Sequence, residues 1–404
     1  MGHSPRHRFP TTPTGPIENL DRTGRSRRAF LSRSGALGAS VFLAGCAATS
    51  TSVERALTSD SSLTVVNWVE YIPPDAVNNF VAASSLFNVD YREEYVDNIS
   101  GFSDIIEPEL SGGGVPYFDL ITPTQWVAGR MIDNGWVEAL PLEAIPNHVN
   151  LDPRFMTSDF DRGSRFQMPW QGGMTGISYN PEATGGPISS VGQFLDPGNT
   201  NLRGNVGLVG EMREAVGLAM LANGDDPARP SAATANAGLD SLFDLADAGH
   251  FQSVVFDDFV QELTAGRLVA SMAWSGQAAA LQLDQPQFEF VIPDEGAISW
   301  FDTMVIPRNA QNYGGAAQWI NWAYNPVNAA QISAWNLYVC PVLGTQDALR
   351  QLGGFEAELA DNPLVFPDTE TRNRLFNWGT LPLETELALE ARFDQLTESI
   401  GFAS

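Results

Sequence analysis

The sequence predicts an α/β protein of two lobes, and three observations lead there. From residue 63 onward, short apolar runs rich in β-branched residues alternate with helical segments, the pattern of largely parallel sheets covered by helices. A length of 404 residues suits two compact units better than one. Two long extended stretches, Phe166 to Tyr179 and Phe288 to Pro307, are placed to carry the chain from one lobe to the other and back.

The elements follow in order. Leu63 to Trp68 reads as a strand, and Pro73-Pro74-Asp75 opens a helix running to about Ser85, proline being tolerated in a first helical turn. A strand follows near Phe87 to Arg92. Asp119 to Pro123 is a short strand ending in a turn, with a helix from about Gln125 to Asn134 behind it. Two more strand–helix pairs are Val206 to Val209 with Glu211 to Leu221, and Leu268 to Ala273 with Gly276 to Leu283. Open α/β sheets bind ligands at the carboxyl ends of such strands. That rule selects Trp68, Thr124 to Trp126, Gly210 to Glu214 and Trp274 to Gln277.

The N-terminus reads as a targeting segment and stands outside the fold. Ser26 to Leu31 contains Arg27-Arg28 in the manner of a twin-arginine export motif, Ala36 to Gly45 is a short stretch of small and apolar residues, and Leu43-Ala44-Gly45-Cys46 has the form of a lipobox. Residues 1–45 are therefore expected to be a twin-arginine lipoprotein signal peptide, Cys46 the lipidated residue, and 46–62 a flexible tether.

Composition narrows the partners. The whole chain has 22 basic and 48 acidic residues. Residues 1–45 hold seven of the basic and two of the acidic residues, leaving 15 against 46 and a formal charge of −31; lysine is absent throughout. So acidic a surface disfavours nucleic acid and favours cationic solutes. With Cys46 acylated, Cys340 would have no disulfide partner. His148 and His250 lie far from any residue at metal-ligand or catalytic spacing.

Aromatic residues and carboxylates gather at the strand ends and along the second extended stretch: Trp68 and Tyr71, Trp126, Glu211 and Glu214, Trp274, Trp300 with Asp302, and Tyr338. Carboxylates neutralise ammonium groups through charge-assisted hydrogen bonds, while aromatic faces attract cations and cover methylenes. Glu211 and Glu214, three apart at a helix start, would share one face. Structural readings compete at each position: tryptophans pack cores, and acidic residues favour first helical turns for the macrodipole alone. Taken by themselves, these residues indicate a cation-binding cleft.

At these residues the sequence resembles the spermidine/putrescine-binding proteins of ABC transporters, a branch of the extracellular solute-binding proteins. Asn67 to Ile72 is similar to the family's opening strand and turn, in which the Trp and the Tyr contact ligand. Pro123 to Trp126 matches the next turn, with Trp126 where a stacking Tyr is usual. Gly210 to Glu214 resembles the helix start that supplies two carboxylates, with Glu211 where Asp is familiar. Ala273 to Gly276 matches an aromatic wall, Ser299 to Asp302 the segment with a stacking Trp and an Asp for an amino group, and Leu337 to Pro341 the last aromatic contact. Val69 departs from the pattern, standing where a hydroxyl residue often lies.

The resemblance covers residues 63 to about 395. It implies a two-lobed, type II periplasmic-binding-protein-like fold with a hinge and an interlobe ligand cleft. Lobe 1 would be 63–168 plus 302–345, lobe 2 169–301, and 346–404 C-terminal helices packing on the lobes. The implied function is that of an extracytoplasmic, lipid-anchored and monomeric binding protein, which captures a polyamine and hands it to an ABC permease without cofactor or catalysis. The rivals are a binder of another small organic cation, a carboxylate-dependent exported hydrolase, and a scaffold lipoprotein. Against an enzyme stand the lack of a Ser/His pairing, a metal-ligand cluster, a phosphate loop or any lysine.

Overall fold

The computed structural model describes residues 62–84, 88–93, 106–156, 160–161 and 163–403. The export motif, the lipobox with Cys46 and the tether expected from the sequence lie outside these, as do Ser85 and Phe87. The chain divides into Met1–Gly45 and Cys46–Ser404, and every described residue belongs to the second unit.

The strands are β1 (Ser62–Asn67), β2 (Asn88–Glu93), β3 (Leu120–Ile121), β4 (Gln167–Tyr179), β5 (Val206–Val209), β6 (Phe251–Val255), β7 (Ala270–Trp274), β8 (Glu289–Val291), β9 (Ala297–Val305) and β10 (Leu375–Asn377). They form a sheet in the order β2-β1-β3-β9-β4-β7-β5-β6, with β8 also on β4 and β10 on β9. The longer helices used below are α1 (Ala76–Ala83), α2 (Gln125–Asp133), α3 (Met212–Ala222), α4 (Ala232–Asp247), α5 (Ser275–Asp284), α6 (Tyr313–Ala323), α7 (Pro326–Asn336) and α8 (Leu383–Ile400).

Each end of the sheet is parallel and the centre is not. β1 pairs parallel with β2 and β3, and β5 with β6 and β7, whereas β4 and β9 run antiparallel to each other through the middle. The two stretches read as crossings are these central strands: β4 pairs with β9 over Gln167 to Thr175 and with β7 over Thr175 to Tyr179. Their ladder shifts register between Pro169 and Gln171, at a proline that has no N–H to give.

Strand periodicity explains the burial. In β1, Leu63 and Val65 join one core with Phe80 of α1 and Trp319 and Ile320 of α6, while Val66 joins another with Ile121, Val127 and Met131. Alternate residues thus face helices on opposite sides, as parallel sheets require. At the other end, Val206 and Leu208 of β5 and Met272 of β7 share a core with α3, α4 and Leu389, Phe393 and Leu396 of α8. The far side of that end is closed by Val255, Phe259 and Ala273. The fold is a mixed α/β sheet with a separate set of cores at each end, the arrangement that the two lobes expected from the sequence require.

Candidate functional site

Three helices begin where strands end, and none of their N-cap side chains caps its own helix. Thr124 precedes α2, Glu211 precedes α3 and Trp274 precedes α5. A threonine hydroxyl at an N-cap normally accepts from the first-turn amides. Thr124 instead donates to Asp302 Oδ1 at 2.8 Å. Tyr71, in the turn after β1, donates to the other oxygen of the same carboxylate, Oδ2, at 2.5 Å. Asp302 on β9 therefore holds two neutral hydroxyl donors and is buried.

A second carboxylate is built on the other side of the sheet centre. Glu214 stands three residues after its N-cap, from where a glutamate commonly reaches back to the cap's backbone. Its Oε2 accepts instead from Trp274 Nε1 at 2.6 Å and from the Thr175 hydroxyl at 2.5 Å. Thr175 in turn accepts from Trp300 Nε1 at 3.1 Å. One threonine on the crossing strand β4 thus ties an aromatic of β9 to a carboxylate of α3.

Between the two carboxylates runs a continuous aromatic wall. Ring centroids step from Tyr71 to Tyr338 at 5.7 Å, from Tyr338 to Trp300 at 5.3 Å and from Trp300 to Trp274 at 6.3 Å. The wall lies close against backbone that has no side chain to interfere. A Cβ on Gly173 would fall 2.4 Å from Trp300 Cζ2, and one on Gly276 2.7 Å from the Tyr338 ring. Tyr338 is further fixed by its hydroxyl on Gln277 Oε1 at 2.5 Å and its amide on Asn336 Oδ1 at 3.0 Å. Leu337 between them is held at φ 61°, a left-handed conformation that a leucine adopts only under constraint.

Both carboxyl groups are pushed up by burial. Asp302 is raised to about 7 by desolvation, opposed by its bonds to Tyr71 and Thr124. Glu214 is raised to about 7, first by desolvation and further by the Asp302 charge, against its bonds to Thr175 and Trp274. Burial and the same carboxylates also push the Tyr71 and Tyr338 phenols well above their ordinary range. Two acids with raised proton affinity on an aromatic wall make a place that gains from a cation, since a positive charge returns both to their ionised form. No group of three or more His, Cys, Asp or Glu that could hold a metal is found among the described residues.

Of the residues singled out from the sequence, Tyr71, Glu214, Trp274, Trp300, Asp302 and Tyr338 come together in this one constellation. Trp68 lies beside it, its Nε1 donating to the Thr122 carbonyl at 2.8 Å and its ring partly buried against two cores. Glu211 is buried, but as the extended N-cap of α3 it stands before the first turn in which the sequence placed it. Trp126 departs from the expected stacking position: among the described residues its ring meets none of the wall and carries two guanidinium groups, Arg213 Cζ 3.8 Å and Arg130 Cζ 4.6 Å from the centroid.

Sequence reasoning missed Thr175, Gln277 and Asn336 as parts of the site. Every residue of β4 is buried, so no alternation marks Thr175 as facing the wall. Gln277 lay within the strand-end segment that was picked, without a role.

A family model described as bacterial extracellular solute-binding protein matches residues 103–367. The spermidine/putrescine-binding periplasmic protein of Escherichia coli K12 is 26% identical over 313 residues, 77% of this chain and 85% of that protein. A putrescine-binding periplasmic protein of the same strain is 25% identical over 343 residues, 80% of this chain and 88% of that one. Among solved structures, a putative spermidine/putrescine ABC transporter from Listeria monocytogenes superposes with a TM-score of 0.72 at 26% identity, over 83% of this chain and 99% of that chain.

Proposed function

The chain belongs to the bacterial extracellular solute-binding proteins, and from that premise we propose that it binds a linear polyamine, spermidine or putrescine, and delivers it to the permease of an ABC importer. The observation that carries this reading is the placement of Asp302 and Glu214 at the two ends of the wall Tyr71–Tyr338–Trp300–Trp274. A polyamine is a row of ammonium groups joined by methylenes. Each carboxylate takes one ammonium, and the rings between them cover the aliphatic spacer while attracting the flanking charges. Binding at micromolar affinity needs only about 8 kcal/mol in all.

Each half of the sheet brings its own ligands, which supports capture by closure. Tyr71 and Thr124 come from the β1/β3 end, Glu214 and Trp274 from the β5/β7 end, and Trp300 and Asp302 from a strand shared by both. We place the hinge in β4 and β9 at the register shift beside Trp170, with lobe 1 as 63–168 plus 302–345 and lobe 2 as 169–301. The mature protein is read as a monomer held to the outer face of a membrane through a lipidated Cys46 after twin-arginine export. Calorimetric titration with putrescine, spermidine and spermine tests the reading. Saturable one-to-one binding of at least one is expected, and heat of dilution alone with all three would overturn it.

A further inference from the structure

Arg213 sits between Glu211 and Glu214, yet it is turned away from them. Its guanidinium lies over the Trp126 ring, and Arg130 of α2 lies over the same ring. Both arginines then converge on one pair of carboxylates from α8. The Nη2 atoms of Arg213 and Arg130 are each 2.8 Å from Glu390 Oε1, and 3.1 and 3.5 Å respectively from Glu386 Oε2. Trp378 Nε1 adds a long contact of 3.4 Å to Glu386 Oε1. The cluster is charge-balanced and largely out of water, with side-chain exposures of 8% for Arg213, 14% for Glu386, 16% for Glu390 and 23% for Arg130.

These elements belong to different halves of the molecule. α2 packs in the core of Val66, Ile121 and Val305, whereas α3 and α8 share the core of β5 and β7. The contact therefore joins the halves outside the crossing strands. It is also incompletely packed: a groove of about 140 Å³ runs beside it, lined by Val127 and Met131 of α2 and by Leu383 and Leu387 of α8, and both leucines are exposed. Close-packed cores have no such gap.

We propose that Trp126, Arg130, Arg213, Glu386 and Glu390 form a reversible clasp between the lobes, which favours the closed form and sets how long a ligand stays bound. A buried ion cluster stabilises only when all its members are present, because each one removed leaves a charge uncompensated. Such a contact forms or opens as a unit. Its position gives it leverage, since Arg213 is on the same helical turn as Glu214 and holding one holds the other. Trp126 is on this account a closure residue, with its face already occupied by cations of the chain itself.

The effect on ligand release rests on the polyamine reading; the effect on closure does not. The experiment is stopped-flow binding of spermidine to the wild type and to the Glu386→Gln/Glu390→Gln pair, with X-ray scattering of both chains free of ligand. Loss of a buried charge pair acts on dissociation, so we expect a dissociation rate raised roughly tenfold and an association rate within about twofold. The ligand-free variant should have a larger radius of gyration. A dissociation rate within about twofold of wild type, or an unchanged radius of gyration, overturns the clasp. If the wild type binds putrescine or spermine but not spermidine, that ligand replaces it in the kinetics; if it binds none of the three, the polyamine reading falls and the scattering alone decides the clasp. Should the double variant not fold, Arg130→Met, at the most exposed charged member of the cluster, carries both measurements with the same criteria.

Discussion

The Tyr71 hydroxyl lies 2.5 Å from Asp302 Oδ2, although the two residues are 231 positions apart in the chain. A phenol beside a buried carboxyl stabilises the ionised form, yet Asp302 remains raised because burial outweighs the two hydroxyls that reach it. The site is built to hold charge that it does not itself neutralise.

One consequence is a pH-dependent affinity. An ammonium group binds the ionised carboxylates, and both acids titrate near 7 in the empty site. Affinity is therefore full above that value and falls as the pH drops through it, while the ligand amines stay protonated. Each group costs about tenfold one pH unit below its pKa, so spermidine should bind roughly ten- to a hundredfold more weakly at pH 6 than at pH 8. Calorimetry in buffers of different ionisation heat should also show proton release on binding at pH 6. An affinity constant over this range would contradict the assignment.

The same shifts govern the stability of the empty protein. A carboxyl raised in the folded state contributes stability below its unfolded pKa and loses it as the pH rises through its folded value. The contribution of Glu214 and Asp302 should thus decline as the pH rises from the ordinary carboxyl range at about 4 through about 7, and be gone by pH 8. Substituting Glu214→Gln and Asp302→Asn together removes it, so the ligand-free variant should melt higher than wild type at pH 8 and lose that advantage near pH 5. Melting curves without ligand check this; a variant that melts lower than wild type at pH 8 would contradict it.

Thr175 supplies a test of the wall's construction. Thr175→Val leaves Trp300 Nε1 without its acceptor and takes one of two donors from Glu214. An unsatisfied buried polar group costs about 1–3 kcal/mol, so affinity should fall between fivefold and a hundredfold, whereas Thr175→Ser should stay within about threefold of wild type. Equal losses in both variants would show that packing of the methyl group, not the hydroxyl, matters there.

How far the site could be read from sequence depended on the length of the dependency. Tyr71, Trp274, Trp300, Asp302 and Tyr338 lie in local segments whose position is set by the strand or helix that each flanks, and these were legible. The crossing strands were legible as extended stretches. Trp126 was not, because its partners are decided by α8, about 260 residues further on, and a tryptophan at a strand end looks the same whether it covers a methylene or a guanidinium. Arg213 was hidden for the same reason, lying between two acidic residues that it does not neutralise. β6 and the helices α4 and α6 carry no site residue and drew no notice, although they bury much of both cores, and α7 drew none although its last residue, Asn336, fixes Tyr338.

Anchoring is tested on the intact chain in cells. With a palmitate analogue supplied, mature wild type should become labelled and Cys46→Ala should not, since Cys46 is the residue a lipobox would acylate. Unlabelled mature wild type would reject lipidation without touching the account of the cleft.

The most direct measurement of the central claim is calorimetric titration of Asp302→Asn and Glu214→Gln with putrescine and spermidine at pH 8, beside Trp274→Ala. A carboxylate removed from a buried site strands an ammonium group at a cost of roughly 3–5 kcal/mol, so each carboxylate variant should lose two or more powers of ten in affinity. Trp274→Ala strands no charge and should lose about 1–3 kcal/mol toward both ligands alike. If neither carboxylate variant loses as much as tenfold toward either ligand, while its melting curve shows it folded, Asp302 and Glu214 do not hold the amines and the polyamine account of this cleft is wrong.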